Sequence, residues 1–393
     1  MTNFERVHNV DYAIAAFIGT SQFLIARCLV FDWKPRLGTA AFRAILTVLA
    51  VLWIATGMGL WLNMASPEVT RWVPAPIHAI LSASEILWGF ASSISIALYL
   101  LARTVLRRQP ANYSPRRRRW IKAAAGAAIA APVAAIAYGG LIERTRFHVK
   151  EIDFPVPNLH PDFDGLRVAQ VSDLHVSPYL SVRDAARVVD MTNELRPHLT
   201  LVTGDLISEV GDPLDATIAE IARLRADMGV LGCLGNHEAY ADCEDYATEQ
   251  AKRFGIEFLR MRARQLRRGD GLLNIAGVDF QSFRMRDRYL RGADKLVVPG
   301  MANLLMSHNP DVFPTSVRQG YDGVISGHTH AGQVTVEILN RTLNIVRFFT
   351  PFVAGLYRLG GRSCYVTAGI GTIGMPVRLG APPEITLLRL RRA

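Results

Sequence analysis

Five short clusters carry residue types that can hold a cation or move a proton: SDLH (172–175), TGD (203–205), GNHE (235–238), SHNPD (307–311) and GHTH (327–330). They supply two aspartates, Asp173 and Asp205, one asparagine, Asn236, and five histidines, His175, His237, His308, His328 and His330. Carboxylate, amide and imidazole donors without a thiolate suit Mn, Fe or Zn rather than a sulfur-seeking metal. Asp173 and His175 stand two residues apart, as do His328 and His330, so both members of each pair can reach one site from an ending strand. Each cluster alone has a plainer explanation. D-x-H can be a strand end with a capping aspartate, G-D a turn, and a lone histidine a satisfied core residue. Five clusters in this order, each closing an apolar run, are a stronger signal.

The elements that must position them are legible in the same stretches. LRVAQVSD, LTLVTGD, GVLGCLGNHE and YDGVISGHTH read as strands. Between them lie helical stretches at 182–195, with Val188, Val189 and Leu195 on one face, and at 214–224. This alternation predicts an α/β domain. In such sheets ligands collect at strand ends, where loops converge and helix N-termini favour anions.

The order D-x-H, G-D, G-N-H-E, a lone His and G-H-x-H across 173–330 resembles the calcineurin-like metallophosphoesterases. GHTHAGQ and the tail YVTAGIGTIGMPVRLGAPPEITLLRL (365–390) are similar to the membrane-associated bacterial branch of that family, the YaeI and YkuE type, extending the likeness over 145–390. The resemblance implies an α/β/β/α sandwich with a two-metal centre. It implies that Asp173, His175, Asp205 and His330 hold one metal. Asp205 would bridge to a second, held also by Asn236, His308 and His328, while His237 stays free of metal beside the leaving group. Two cations about 3.5–4 Å apart can clamp a phosphate and acidify a bridging water for in-line attack on phosphorus. His237 would then stabilise or protonate the departing oxygen.

At one place the chain departs from the family. Many members carry an aspartate three residues after the bridging one, where it can orient the catalytic histidine. Here Ser208 stands there, followed by Glu209. Either Glu209 substitutes, or His237 lacks that support. The same difference, with no Arg-Gly following, argues against a phosphoprotein phosphatase.

The texture before residue 143 is different. Hydrophobic residues make up 50% of the chain and charged ones 20%. The apolar surplus lies in four segments, 12–31, 40–63, 77–101 and 121–142, each near the ~20 residues that cross a bilayer as a helix. Glu85, inside the third, is expected to face a partner or a cavity. Lys34 and Arg36 follow the first segment, and Arg103, Arg107, Arg108, Arg116 to Arg119 and Lys122 separate the third from the fourth. Positive loops stay cytoplasmic, which places the N-terminus and everything after residue 143 outside. RRRWIK (117–122) also resembles a twin-arginine export signal.

These clusters account for much of the net charge of +10, so no nucleic-acid partner is expected. The four cysteines, Cys28, Cys233, Cys243 and Cys364, have no zinc-type spacing. Two further stretches each admit two readings. The arginines between Arg260 and Arg291 could meet lipid or substrate phosphates or form an ordinary solvated surface, and RFFTPFVAGLY (347–357) could face lipid or pack in the core.

The expectation is therefore a membrane domain of about four transmembrane helices over 1–143 and a metallophosphoesterase domain over 144–393. The protein would be a multi-pass component of the bacterial inner (plasma) membrane, with its catalytic domain facing the periplasm or exterior. Two divalent ions would serve hydrolysis of a phosphodiester or pyrophosphate bond in a lipid-linked or envelope substrate. Two alternatives stand beside it: a non-catalytic, metal-stabilised binding module, and a membrane sensor for anionic envelope ligands. The orientation is directly testable. A reporter that works only after export will be active when fused after Ala393, and one that works only in the cytoplasm will be silent; the opposite pattern reverses the topology.

Overall fold

A helix satisfies its backbone polar groups within one segment, the solution open to an apolar run placed in lipid. A computed structural model of the chain describes residues 3–28, 30–31, 38–64, 73, 77, 81, 83–107, 114–338 and 341–393. The chain divides into two units, Met1–Gly140 and Leu141–Ala393. The first is helical: α1 (Asn3–Cys28), α2 (Thr39–Met64), α3 (Ala91–Arg107), which continues a π-helical turn at Glu85–Phe90, and α4 (Pro115–Leu141).

Among the described residues three helices are long and apolar enough to cross a membrane: Thr39–Leu62, Trp88–Val105 and Arg119–Thr145. The expected segment 12–31 falls largely in α1, and residue 29 lies outside the described residues. Gln22 is used in packing: its Nε2 donates to Ser92 Oγ at 2.8 Å, and its Oε1 accepts from Trp88 Nε1 at 3.3 Å. Of the third expected segment, 77–101, the stretch from Trp88 belongs to one of these helices, and residues 78–80 and 82 lie outside the described residues. The Glu85 side chain lies outside the described residues. RRRWIK forms part of the first turns of α4.

The second unit begins with almost no linker. Glu143, buried, accepts a hydrogen bond from Gly380 N at 3.0 Å, and Arg144 donates to the Tyr179 carbonyl. Two mixed six-stranded sheets follow. The first contains β1 (His148–Val156), β2 (Arg167–Val171), β3 (Leu199–Thr203), β4 (Val230–Cys233) and β5 (Ile256–Phe258). The second contains β6 (Arg262–Arg268), β7 (Gly271–Gly277), β8 (Ala302–Met306) and β9 (Gly323–Ser326). A small hairpin, β10 (Val336–Ile338) and β11 (Arg341–Leu343), precedes β12 (Gly355–Leu359) and β13 (Arg362–Val366) of the second sheet. The chain then returns to the first sheet as β14 (Glu384–Arg392).

The strand orders are β1-β14-β2-β3-β4-β5 and β12-β13-β9-β8-β7-β6. In the first sheet β2, β3, β4 and β5 run parallel, and β14 lies antiparallel to β2. In the second, β7, β8, β9 and β13 run parallel. Side chains from both sheets, among them Val168, Leu201, Leu304, Ile325 and Leu388, form one buried layer between them. Helices α5 (Val182–Glu194), α6 (Leu214–Ile221), α7 (Asn236–Tyr240) and α8 (Glu244–Arg253) follow strands of the first sheet, and α9 (Phe313–Gln319) belongs to the second. Val188, Val189, Ile218 and Ala247 bury the helical faces against the first sheet. Phe313 packs with Val324 and Val366 of the second. The layers are α/β/β/α.

Local chemistry sets the helix starts. Ser181 Oγ accepts from Asp184 N, and Asp184 returns a carboxylate to Ser181 N, closing a capping box ahead of α5. Cys233, Cys243 and Cys364 are free thiols. The basic run resolves into two parts. Arg262 and Arg264 lie on β6, an edge strand that cationic side chains protect from pairing, while Arg284 to Arg288 belong to a separate turn.

Leu388, fully buried between the sheets, tests this layering. Leu388→Ala should destabilise the second unit by about 2–5 kcal/mol, read as a lower thermal-unfolding midpoint of the detergent-solubilised chain. An unchanged midpoint would mean that the two sheets are not packed through this residue.

Candidate metal centre

All five clusters leave the C-terminal ends of parallel strands. Asp173 and His175 follow β2, Asp205 follows β3, and Asn236 and His237 follow β4 in the first sheet. His308 follows β8, and His328 and His330 follow β9 in the second. Packing the sheets face to face brings these ends together. Backbone bonds tie the loops edge to edge: Asp173 N donates to Gly204 O at 2.9 Å and His175 N to Asp205 O at 3.0 Å.

The backbone there is strained. Asp173, His175, Asp205, His328 and His330 adopt φ of 55°, 48°, 54°, 76° and 52°, a left-handed region uncommon for residues with a Cβ and costing on the order of 1–3 kcal/mol each. Five such residues around one point indicate a constraint other than folding stability. The motif glycines answer a related demand. A Cβ on Gly235 would stand 2.1 Å from Asp205 Oδ1, and one on Gly327 would stand 2.2 Å from Asp173 Oδ2.

Two overlapping donor groups result. Asp173, His175, Asp205 and His330 each offer an atom within 4.8 Å of the others, as do Asp205, His308 and His328, with Asp205 common to both. His330 Nε2 lies 3.1 Å from His175 Nε2 and 3.3 Å from Asp173 Oδ1, and His175 Nε2 lies 3.4 Å from Asp205 Oδ2. His308 Nε2 is 2.9 Å from Asp205 Oδ2, a contact too poorly aligned to count as a hydrogen bond. Carbonyls hold the opposite ring nitrogens. His175 Nδ1 faces Ile207 O at 3.1 Å and His308 Nδ1 faces Thr203 O at 2.6 Å. A proton on each Nδ1 leaves the Nε2 lone pair for a cation.

The donor set fits divalent metal ions. Asp173 Oδ2, Asn236 Oδ1 and His308 Nε2 are buried and have no hydrogen-bond partner. Orphaned polar atoms of this kind are rare in a folded interior unless an ion or water satisfies them. Electrostatics agree. Burial, reinforced by Asp205, pushes the Asp173 carboxyl up to about 6. Burial works against Asp205 too, but the neighbouring His308 overcomes it and holds that carboxylate well below its ordinary range. His308, despite burial, is raised to about 10 by Asp205 and Asp173. Burial lowers His175 to about 3 and His328 to about 4, and it keeps His330 well below the usual histidine range, with His175 and Arg378 adding to the effect. Three neutral imidazoles thus stand beside two carboxylates, a donor set that a cation can use.

His237 stands beside the donors rather than among them. Its ring makes an edge contact with His175 at 4.7 Å between centroids, and its backbone N donates to Asp205 Oδ1 at 2.9 Å. Glu209 does not take the place of the family's aspartate. His237 Nδ1 faces the backbone carbonyl of Ser208, and Glu209 is exposed. A main-chain carbonyl thus takes the place of the aspartate, while the Ser208 hydroxyl lies 3.3 Å from His175 Nδ1. Asp212 shapes that loop by accepting from Ser208 N and Glu209 N, both at 2.9 Å.

Other supporting residues had no role assigned from sequence. Glu238, buried, accepts from the backbone N–H groups of Asp205, Leu206 and Gly235 at 3.0, 2.6 and 2.8 Å. Its place in G-N-H-E was the available signal. Arg378, fully buried, donates to Gly371 O and Ala381 O and brings Nη2 to 3.4 Å from His330 Nδ1. It is 48 residues from His330 in sequence, and only the resemblance of the 365–390 tail hinted at it. Phe280 and the exposed Tyr240 form aromatic walls, Phe280 at 5.5 Å from His328 and Tyr240 at 5.6 Å from His237, centroid to centroid.

Arg378 gives a test of this outer support. Arg378→Met should weaken Mn²⁺ binding about 10–100-fold, the usual effect of losing a residue that orients a ligand, measured by titration calorimetry. An unchanged isotherm would remove Arg378 from that role.

The calcineurin-like phosphoesterase family pattern matches residues 166–332. A Danio rerio "Transmembrane protein with metallophosphoesterase domain" is 32% identical over 258 residues, covering 62% of this chain and 57% of the relative. A Bacillus subtilis relative, "Uncharacterized metallophosphoesterase YkuE", is 28% identical over 258 residues, covering 64% of this chain and 86% of its own. A Helicobacter pylori relative, "Uncharacterized metallophosphoesterase", is 24% identical over 386 residues, covering 94% of this chain and 97% of its own. The chain spans between 57% and 63% of the length of the first three curated relatives it matches. Residues 166–332 thus carry a calcineurin-like phosphoesterase domain.

Proposed function

We propose that the chain is a membrane-anchored phosphoesterase that uses two divalent ions, Mn, Fe or Zn, to hydrolyse a phosphodiester or pyrophosphate bond in a lipid or envelope substrate. The observation that carries this reading is the pair of donor groups sharing Asp205, with orphaned donor atoms on three of the surrounding side chains. Asp173, His175, Asp205 and His330 would hold one ion, and Asp205, Asn236, His308 and His328 the other. Bound there, the ions would offset phosphate charge and acidify a water.

The remaining steps belong to the chain. Ser208 O fixes a proton on His237 Nδ1, leaving Nε2 to exchange a proton with the departing oxygen. Glu238 holds the peptide groups that aim Asp205. Phe280 and Tyr240 would flank the leaving group and limit water on that side. The lipid or envelope class rests on the apolar helices, which would keep the site near a bilayer. Placement in a bacterial inner membrane, with the domain facing the periplasm or exterior, rests on the arginines that open α4. They set the direction of the last span whatever the number of spans before it.

The test is hydrolysis of bis(p-nitrophenyl) phosphate by the purified, Mn²⁺-loaded full chain. His237→Ala should lower kcat about 10²–10⁴-fold, and Asp205→Ala should abolish turnover together with metal retention. A folded, metal-loaded protein without turnover, or one indifferent to both substitutions, would overturn the hydrolase reading in favour of a binding module.

A further inference from the structure

Two turns beside the centre carry side chains that the metal chemistry does not use. One is Phe283–Arg288, shortly after Phe280; the other is Ile345–Phe348, with Phe349 following. Phe283 is 61% exposed, Met285 45%, Phe348 87% and Phe349 72%. A single exposed aromatic needs no explanation, but four large apolar side chains on adjoining turns form a patch. The turns do adjoin. Arg286 Nη2 donates to Phe349 O and to Asp311 Oδ2, both at 3.1 Å, and Thr350 Oγ1 donates to Asp311 Oδ1.

The charge around the patch is net positive. The stretch FRMRDRYLR (283–291) holds four arginines and one acid. That acid, Asp287, lies against Arg288, and Asp311 is taken up by Arg286. Arg284 and Arg347 are exposed.

We propose that this rim docks on an anionic lipid surface. Phe283, Met285, Phe348 and Phe349 enter the boundary between headgroups and acyl chains, and Arg284, Arg288 and Arg347 face lipid phosphates. Apolar and aromatic side chains ringed by arginine match the two layers of such an interface, an apolar interior under negative headgroups. Under the proposed function the chain would keep a bilayer close by, since its last apolar helix runs to Thr145 and β1 starts at His148. The rim is continuous with the centre, since Thr329 Oγ1, between two candidate ligands, donates to Val353 O on the same loop as Phe348. Docking would turn the mouth of the centre toward the headgroups. This inference rests on the membrane-spanning part of the proposed function and not on turnover.

The test uses the full chain in nanodiscs of phosphatidylcholine, alone or mixed with phosphatidylglycerol. A nitroxide is placed by Phe348→Cys in a Cys243→Ser background, Cys243 being the one native cysteine that is not buried. Glu249→Cys, on the exposed face of α8, serves as the aqueous control. Collision with oxygen against a nickel chelate reads depth. In anionic discs the label at 348 should favour oxygen and the label at 249 the chelate. Arg284→Glu with Arg347→Glu should weaken docking at least about 25-fold, fivefold for each lost cation, and return the label at 348 to water. Equal, aqueous accessibility of both labels in every disc would overturn the proposal. Shielding of 348 from both probes only when two chains share a disc would also overturn it, by assigning the face to a second copy. No arm reads hydrolysis, so this claim and the hydrolase reading fail separately.

Discussion

Two carboxylates buried side by side, Asp173 and Asp205, are the constraint around which the second unit is arranged. Charge taken out of water is costly unless paired, and a buried pair of like charges needs positive charge between or beside it. His308 supplies some, yet its Nε2 still lacks an aligned partner. The backbone accepts five left-handed residues to aim these groups, and Glu238 spends its carboxylate on three peptide N–H groups that hold Asp205 and its neighbours. A protein selected only for stability would bury apolar side chains at this point. The arrangement makes sense as a receptacle for cations.

The two-sheet sandwich is what makes the receptacle possible. One sheet delivers Asp173, His175, Asp205 and Asn236 from successive parallel strands, and the other delivers His308, His328 and His330. Neither sheet alone holds a complete donor set, so the apolar layer that joins the sheets also assembles the site. The C-terminal tail completes it from outside. Arg378 ties the Gly371–Ala381 loop to the His330 ring before the chain returns as β14. Support for His237 is equally indirect, since the Ser208 peptide carbonyl does what an aspartate side chain would otherwise do.

The helical unit and the exposed rim bear on where such chemistry would take place. Three helices long and apolar enough to cross a membrane would tie the domain to a bilayer by covalent connection, whereas the rim at Phe283 and Phe348 would fix how the domain meets it. A tether restricts distance, and a docking face restricts orientation. Substrate access would depend on the second more than on the first.

Much of this was legible in the linear chain, for reasons that are local. Each metal-type residue is preceded by the apolar run that forms its strand, so the five clusters, their order and the α/β alternation could be read directly. The apolar helices follow from length and composition. What only the tertiary structure decided involves partners distant in sequence or groups without a side-chain signature. Arg378 meets His330 across 48 residues. Ser208 acts through a carbonyl that every residue type possesses. The aromatic rim adjoins through an arginine and a peptide oxygen 63 residues apart. Sequence determines which donors exist and which strand presents each, because period and polarity are encoded residue by residue. Which donors share Asp205, and what holds them there, is settled only when two sheets close on one another.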